Sequence, residues 1–243
     1  MPDAPILAAE AVRKQFGALV VLDGVALEVG AGHALGIVGP NGAGKTTLLD
    51  VLSGAQRPNA GSVAFRGEDV TALGVAARCR LGIGRTHQVP RPFTDMTVFE
   101  NALVGATAGG ALAGVDARDR VLEVLEQTGI LHLANRRAAT LGLLDRKRLE
   151  MARALATEPV ALLLDEIAGG LTEEETHDLT ETIRELRRGG LAVVWIEHVV
   201  HALLAVAERL VCMSAGRIIA EGEPETVMND PAVIDAYLGS AAA

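Results

Sequence analysis

Residues 39–46 read GPNGAGKT, a glycine-rich run that ends in a lysine and a hydroxyl side chain. The run matches G-x-x-x-x-G-K-[ST], and it lies between the apolar segment HALGIV and the helical segment KTTLLDVLSG, as that pattern requires. Its glycines allow backbone N–H groups to surround phosphate oxygens at the amino end of a helix, where the helix dipole favours anions. The sequence therefore predicts a phosphate-binding loop, with Lys45 reaching the β- and γ-phosphates and Thr46 binding Mg²⁺.

Two adjacent carboxylates, Asp165 and Glu166, follow a second apolar segment in the run ALLLDE. A phosphate-binding loop needs a carboxylate that completes the Mg²⁺ shell, usually at the end of a neighbouring strand. We expect Asp165 to hold Mg²⁺ through water and Glu166 to polarise the attacking water. In isolation this pair would be interpreted as a solvated strand end, but the phosphate-binding loop favours the catalytic interpretation.

Glycine turns and hydrophobic periodicity predict the elements that position these groups. The runs PILAAE, LVVLDGVALEV and GSVAFRG indicate a small antiparallel sheet near the amino terminus. After Pro159, apolar strands alternate with helix 173–188, which indicates a parallel sheet covered on both faces. We therefore predict an α/β fold with a P-loop NTPase core, a mostly parallel sheet covered by helices, together with an N-terminal antiparallel β subdomain and a helical subdomain.

The predicted helical subdomain covers about 90–158, and its best-defined helix is expected over 116–129. We expect Asp116 to be the N-cap of that helix. Its periodicity places four residues on one face, which we expect to be buried: Val121, Leu122, Leu125 and Thr128.

The composition excludes several classes of protein. The chain has 243 residues, 49% of them hydrophobic, which is typical of a folded globular domain. Its formal charge is −9 and only 2% of its residues are aromatic, so we expect no nucleic-acid partner. No run approaches the roughly 18 apolar residues that a membrane span needs, and no basic segment precedes an apolar one at the amino terminus. We expect a soluble cytoplasmic chain in which Cys79 and Cys212 are reduced thiols.

With these motifs in place, the chain resembles the ATP-binding cassette ATPases almost from end to end. RTHQ looks like the family's glutamine loop, which implies that Gln88 senses Mg²⁺ and the attacking water. WIEH looks like its switch histidine, which implies that His198 contacts the γ-phosphate and orients Glu166. Phe16, in KQFGAL, occupies the position of an aromatic residue that stacks on adenine, with core packing as the alternative.

The resemblance implies one cassette over 1–243, with the β subdomain and core in about 1–89 and 159–243 and the helical subdomain in about 90–158. It implies ATP and Mg²⁺ as ligands. The implied catalytic residues are Glu166, His198 and Gln88. The implied nucleotide contacts are Phe16, Gly39, Pro40, Asn41, Gly42, Ala43, Gly44, Lys45, Thr46 and Thr47. The implied Mg²⁺ ligands are Thr46, Gln88 and Asp165.

Three further segments, TVFENALVGA, ARALATEP and GEPETVMNDPAVIDAYLG, look like the ATPase subunits of branched-chain amino-acid importers. This resemblance implies a peripheral protein on the cytoplasmic face of the inner membrane, bound to permease subunits, to a second ATPase subunit and, indirectly, to a solute-binding protein. The alternatives are the ATPase of a urea or amide importer or of a lipid exporter, and a soluble cassette that acts on nucleic acid or ribosomes. A non-hydrolysing structural subunit is opposed by Glu166 and His198.

Two segments depart from the family pattern. The family's L-S-G-G-Q loop, which contacts the γ-phosphate held by the opposite subunit, is LGLLD here, with Gly142 in place of serine and Leu144 in place of glycine. Asp145 is a candidate N-cap of the helix that follows. After Glu166, Ile167 replaces the usual proline, and Thr172 begins a capping box where an aspartate would cross the interface. We therefore expect a complete site on this chain and a weak contribution to its partner's site, so that a heterodimer is favoured and a homodimer is the alternative. The alternative to this asymmetry is that LGLLD is a tolerated variant and that both sites hydrolyse ATP.

Overall fold

The computed structural model describes the backbone of residues 4–240 and side chains as far as Leu238, so both ends of the predicted 1–243 cassette lie outside the described residues. The strands are β1 (Leu7–Phe16), β2 (Leu19–Val29), β3 (Ala34–Val38), β4 (Ala60–Phe65), β5 (Glu68–Asp69), β6 (Ile83–Arg85), β7 (Ala161–Asp165), β8 (Ala192–Ile196), β9 (Arg209–Ser214) and β10 (Arg217–Gly222). The helices are α1 (Lys45–Ser53), α2 (Val75–Leu81), α3 (Val98–Val104), α4 (Gly114–Gln127), α5 (Leu143–Leu155), α6 (Glu173–Arg188), α7 (Val200–Leu204), α8 (Pro224–Met228) and α9 (Pro231–Ser240).

Two sheets organise the described part of the chain. The first has the order β2-β1-β4-β5 and is antiparallel, as the amino-terminal runs predict. The second has the order β10-β9-β3-β8-β7-β6 and is parallel except for its edge strand β10. The predicted α/β architecture, with a mostly parallel central sheet and a separate antiparallel sheet, is confirmed.

The central strands are apolar throughout because they are covered on both faces. Alternate residues of β8 enter two different hydrophobic clusters: Val193 and Trp195 pack with the residues of α3 to α7, whereas Val194 and Ile196 pack with those of α1 and the antiparallel sheet. This alternation follows from the two-residue period of a strand. The core therefore consists of two layers with the central sheet between them.

The helices between β6 and β7 pack on one another, and α3 continues into a π-helix over Gly105–Gly109. Thr97 and Glu100 form a capping box at the start of α3. Two expectations about α4 are wrong: the helix begins at Gly114 with Ala113 as its N-cap, so Asp116 lies inside the first turn, and Leu122 is 45% exposed. Val121, Leu125 and Thr128 are buried as expected.

The site is positioned by the carboxyl ends of three neighbouring parallel strands. β3, β8 and β7 lie side by side in register, so the loops that leave them emerge at the same edge of the sheet. This edge is where ligands bind in open α/β sheets. Residues 39–46, 165–166 and 197–198 are therefore brought together, although 150 residues separate the first group from the last.

Candidate nucleotide-binding and hydrolysis site

The loop of residues 39–46 passes so close to the sheet that only glycine fits at two of its positions. Gly39 has φ +145°, and a Cβ there would lie 2.1 Å from the carbonyl oxygen of Met213. Gly44 has φ +100°, and a Cβ there would lie 2.6 Å from the carbonyl oxygen of Val21. Helix α1 begins directly after Gly44, at Lys45, so the loop's backbone amides and the helix dipole face the same space.

Lys45 is folded back onto its own loop. Its Nζ donates hydrogen bonds to the carbonyl oxygens of Gly39, at 2.6 Å, and Pro40, at 3.0 Å. Burial lowers the pKa of its ammonium group, and the nearby carboxylates of Glu166 and Asp165 oppose that shift. Within the described residues, the hydrogen bonds of this buried cation go to carbonyl oxygens, so it is well suited to exchange them for phosphate oxygens.

Glu166 is the point where the predicted catalytic side chains meet. It adopts φ +47°, in the left-handed region, immediately after β7. Nε2 of His198 lies 2.8 Å from its Oε1, and Nε2 of Gln88 donates a hydrogen bond to its Oε2. Each carboxylate oxygen therefore has one side-chain partner, from a different loop.

A cavity of about 210 Å³ lies between this carboxylate and the phosphate-binding loop. It is lined by Val21, Asn41, Gly42, Ala43, Gly44, Lys45, Thr46, Thr47, Glu166 and His198. Phe16 is not among the lining residues. Its ring is 47% exposed, 4.9 Å from Nζ of Lys14, so the alternative that it packs in the core is wrong.

Asp165 has the properties of a carboxylate that is prepared for a cation. Its side chain is 4% exposed, Arg85 donates to its Oδ2 at 3.3 Å, and its Oδ1 has no hydrogen-bond partner within the described residues. Burial raises the pKa of this carboxyl group, and the charge and hydrogen bond of Arg85 oppose that shift. A buried acceptor without a partner is costly unless a ligand satisfies it, so this atom fits a role in the Mg²⁺ shell.

Comparison with known proteins agrees with this geometry. The family model described as "ABC transporter" matches residues 22–169, and the model "Branched-chain amino acid ATP-binding cassette transporter" matches residues 217–243. The high-affinity branched-chain amino acid transport ATP-binding protein LivG of Salmonella typhimurium is 37% identical over 252 aligned positions, covering 98% of this chain and 99% of LivG. The chain belongs to the ATP-binding cassette transporter family.

Two further similarities bear on this cassette. The lipopolysaccharide export system ATP-binding protein LptB of Haemophilus influenzae is 37% identical over 234 positions, covering 96% of this chain and 97% of LptB. The crystal structure of another ABC transporter cassette, in its ADP conformation, superposes with a TM-score of 0.88 at 33% identity, covering 97% of this chain and 99% of that one. This cassette is thus an ATP-binding subunit of the ABC type, an ATPase coupled to transport, and no helix in its described residues is long and apolar enough to cross a membrane.

The altered loop of this cassette differs from one of our expectations. The N-cap of α5 is Gly142, not Asp145, which lies in the first turn of the helix. Leu143 is 47% exposed, and a Cβ added at Gly170 would lie 3.3 Å from its Cδ2. The two segments that depart from the family pattern therefore face each other. The capping box of Thr172 and Glu175 at the start of α6 is confirmed.

Two buried charged residues behind the site, Glu197 and Lys147, were not predicted from the sequence. Glu197 is 1% exposed. Its carboxylate accepts hydrogen bonds from the backbone N–H groups of Ala168, at 2.9 Å, and His198, at 2.9 Å. Lys147, in α5, donates to the carbonyl oxygen of Glu166 at 3.4 Å, and Glu197 is the strongest charge that opposes the burial-lowered pKa of this lysine. The loops after β7 and β8 are thus held together by one carboxylate. The sequence feature that could have indicated Glu197 is its place at the end of the apolar run VVWIE, where a charged residue is unusual.

Proposed function

We propose that this cassette hydrolyses ATP for an importer of branched-chain or related amino acids, as one peripheral subunit on the cytoplasmic face of the membrane. The observation that carries the hydrolytic part is the Glu166 carboxylate, held between Gln88 and His198 above the phosphate-binding loop. We further propose that 1–243 is a single cassette, with the helical subdomain in about 90–158 and the β subdomain and core in the remainder.

The residues of the site divide the reaction among them. The amides of the phosphate-binding loop and the Lys45 ammonium offset the charge of the phosphates, while Glu166 accepts a hydrogen bond from the attacking water and His198 orients both. Asp165, Thr46 and Gln88 would hold Mg²⁺, which when bound neutralises charge that develops on the β- and γ-phosphates. Catalysis is therefore positioning combined with charge stabilisation. In this proposal Phe16 moves onto the adenine when nucleotide binds.

The proposal that the transported solute is an amino acid is supported by residues 217–243. LivG and LptB are equally similar to this chain in percentage identity, so identity alone does not separate an amino-acid importer from a lipid exporter. The match of residues 217–243 to the branched-chain amino-acid cassette model favours the importer. Leucine should stimulate ATP hydrolysis by the assembled transporter with its solute-binding protein. If urea stimulates hydrolysis and leucine does not, the cassette belongs to a urea or amide importer. If lipopolysaccharide stimulates hydrolysis and leucine does not, it belongs to a lipid exporter.

A cleft beside the glutamine loop is the proposed attachment site for the permease. Its volume is about 420 Å³, and it lies between α2, β6, the π-helix and α5. Basic side chains outnumber acidic ones in its lining, which includes Arg85, Arg91, Arg153 and Glu150. We propose that a cytoplasmic permease helix with an acidic residue docks here. Arg91→Glu should then reduce co-purification of the permease, while Arg66→Glu, on the antiparallel sheet, should not.

The amino end of α5 supports an asymmetric pairing of two different cassettes. The N-cap is Gly142, which has no side chain to cap the helix. The first turn carries Leu143, Leu144 and Asp145. Such a helix end still offers backbone amides to an anion, but it lacks the hydroxyl donor, and its carboxylate repels phosphate. We therefore propose that this cassette hydrolyses ATP efficiently in its own site and supports hydrolysis weakly in its partner's site.

The hydrolytic proposal is tested with Glu166→Gln in the assembled transporter. We expect turnover to fall by about 10²- to 10⁴-fold, the range for loss of a positioned proton acceptor. The control is Glu174→Gln, which removes an exposed carboxylate from the first turn of α6 and should leave turnover unchanged. Equal turnover in the two variants would show that Glu166 does not assist the attack.

The asymmetry is tested by restoring the family's residues with Gly142→Ser/Leu144→Gly. A serine fits because an added Cβ at Gly142 meets no atom within 4 Å. The matched control is Gly74→Ser, because Gly74 is also an uncapped N-cap, of α2, with open space around it. Both changes should add a helix cap, but only the first should raise turnover of the assembled complex. An unchanged rate would support two equally active sites.

The choice between a heterodimer and a homodimer is tested by light scattering of Glu166→Gln cassette with ATP in the absence of Mg²⁺. Blocking hydrolysis should trap any closed dimer. A monomer that binds ATP supports the heterodimer, whereas an ATP-dependent homodimer would remove most of the support for asymmetry.

A further inference from the structure

The first residue of the phosphate-binding loop is tied to the last described helix of the chain. The backbone N–H of Gly39 donates a hydrogen bond to the hydroxyl oxygen of Tyr237 at 2.9 Å, across 198 positions of sequence. Gly39 is buried, so its N–H needs a protein acceptor. Its carbonyl oxygen accepts from Lys45 at 2.6 Å. Gly39 is therefore held on one side by α9 and on the other by the lysine that binds phosphate.

Helix α9 presents this tyrosine through a simple amphipathic pattern. Val233 is fully buried, and Tyr237, one turn later on the same face, packs against the same hydrophobic cluster. Ile234 and Leu238, each one residue further along, lie on a neighbouring face of the helix and are 44% and 66% exposed. The aromatic ring thus anchors the helix, while the hydroxyl group extends beyond the ring to the loop. These two roles can be separated by removing the oxygen alone.

The loop cannot readily replace this partner. Gly39 follows directly on β3, whose Val38 is in register with Cys212 of β9, and the loop passes against the carbonyl of Met213. Burial raises the pKa of the Tyr237 hydroxyl above its ordinary 10.0, and the hydrogen bond from Gly39 opposes that shift. Without the hydroxyl oxygen, the Gly39 N–H would be a buried donor without a partner, and the peptide would have to shift to reach water.

We propose that Tyr237 is a positioning residue for ATP binding. Its hydroxyl group fixes the Gly39 peptide while Lys45 exchanges the Gly39 and Pro40 carbonyls for the phosphates of ATP. The carboxyl-terminal helix thereby sets the affinity of the phosphate-binding loop for nucleotide. This inference rests on ATP binding at that loop, as proposed above.

The test is Tyr237→Phe in the full-length chain, with ATP affinity measured by titration calorimetry in the absence of Mg²⁺. A neutral hydrogen bond of ordinary strength corresponds to a rise in Kd of about 2- to 13-fold, and we expect about fivefold. In the assembled transporter, KM for ATP should rise by a similar factor while kcat stays within about twofold, because the hydroxyl group does not contact the Glu166 carboxylate.

Leu238→Ala is the matched control, since it alters the exposed face of the same helix. It should leave both Kd and the unfolding midpoint unchanged. If Tyr237→Phe leaves Kd for ATP unchanged, or raises it only as much as Leu238→Ala does, the inference is overturned and the tyrosine is a helix anchor alone. Failure of the unmodified chain to bind ATP would instead contradict the proposed function, so the two failures are distinguishable.

Discussion

Replacing Arg85 measures how much a buried carboxylate without its cation destabilises this cassette. Its guanidinium group is 12% exposed and contacts Asp50 at 2.6 Å, Asp165 at 3.3 Å and the Ser53 hydroxyl at 3.0 Å. The perturbation is Arg85→Met, which keeps much of the side-chain volume and removes the charge. It leaves Asp165, at 4% exposure, as a buried carboxylate without its cation.

The expected loss is about 3 kcal/mol in the free energy of unfolding. Removing one partner of a buried ion pair costs about 3–5 kcal/mol. We take the lower end because Asp165 can be protonated and because Asp50, at 31% exposure, retains its hydration. For a chain of this length, about 3 kcal/mol corresponds to a fall in Tm of about 6–12 °C. The matched control is Arg217→Met: Arg217 is 70% exposed and pairs with Asp23 at 2.5 Å, and its removal should cost less than about 1 kcal/mol.

The pH dependence gives this prediction a second, independent readout. Without Arg85, the pKa of Asp165, which burial already raises, should rise further. A group with a raised pKa in the folded state contributes stability that is present below the unfolded value and lost as the pH rises through the folded value. The deficit of Arg85→Met should therefore be larger at about pH 8 than at about pH 5, and addition of Asp165→Asn should recover about half of it. Urea unfolding followed by circular dichroism measures both. A cost no greater than that of Arg217→Met, or no recovery in the double variant, would refute the reasoning.

Other predictions concern local structure. Thr97→Ala should lower the free energy of unfolding by about 1 kcal/mol, since Thr97 caps α3. Hydrogen bonds from the backbone N–H and the hydroxyl of Thr97 hold the pKa of Glu100 below its ordinary 4.5. Thr97→Ala removes only the hydroxyl, so the part of its cost that comes from the carboxylate should be present above that pH and lost as the pH falls through the lower folded value, while the cap to the Glu100 N–H is independent of pH. Urea unfolding at several pH values checks this, and a constant difference would contradict it. Gly36→Ala should cost about 1–3 kcal/mol, because its Cβ would lie 2.7 Å from Leu210 and 2.9 Å from Leu203; a wild-type Tm would show that β3 can shift to accommodate a methyl group.

Sequence predicts this structure where a local pattern is tied to one geometry. The run GPNGAGKT requires a strand before it and a helix after it, and β3 and α1 are found there. The run ALLLDE ends a fully buried strand, so its two carboxylates had to emerge at the sheet's edge. Once the sheet is parallel, its strand ends converge, and Gln88, Glu166 and His198 meet for that reason.

Sequence does not predict the features that depend on backbone conformation or on contacts between distant residues. Asp116 and Asp145 were expected to be caps because aspartate favours that position, but Ala113 and Gly142 have the extended backbone that an N-cap needs. Periodicity alone placed Leu122 on the buried face, although the neighbouring Val124 is buried instead. Arg85 and Tyr237 gave no local signal, because their partners lie 80 and 198 positions away.

The hydrogen bonds of Lys45 to its own loop bear on how fast the cassette captures nucleotide. In many binding sites a flexible segment must first become ordered, and this ordering slows the binding of the ligand. Here the loop already closes around an internal cation, so arrival of the triphosphate exchanges one set of partners for another. Entry should then proceed at a rate set by diffusion and by long-range charge. The loop itself buries little apolar surface, so the heat-capacity change on binding should come mainly from the proposed stacking of Phe16 on adenine.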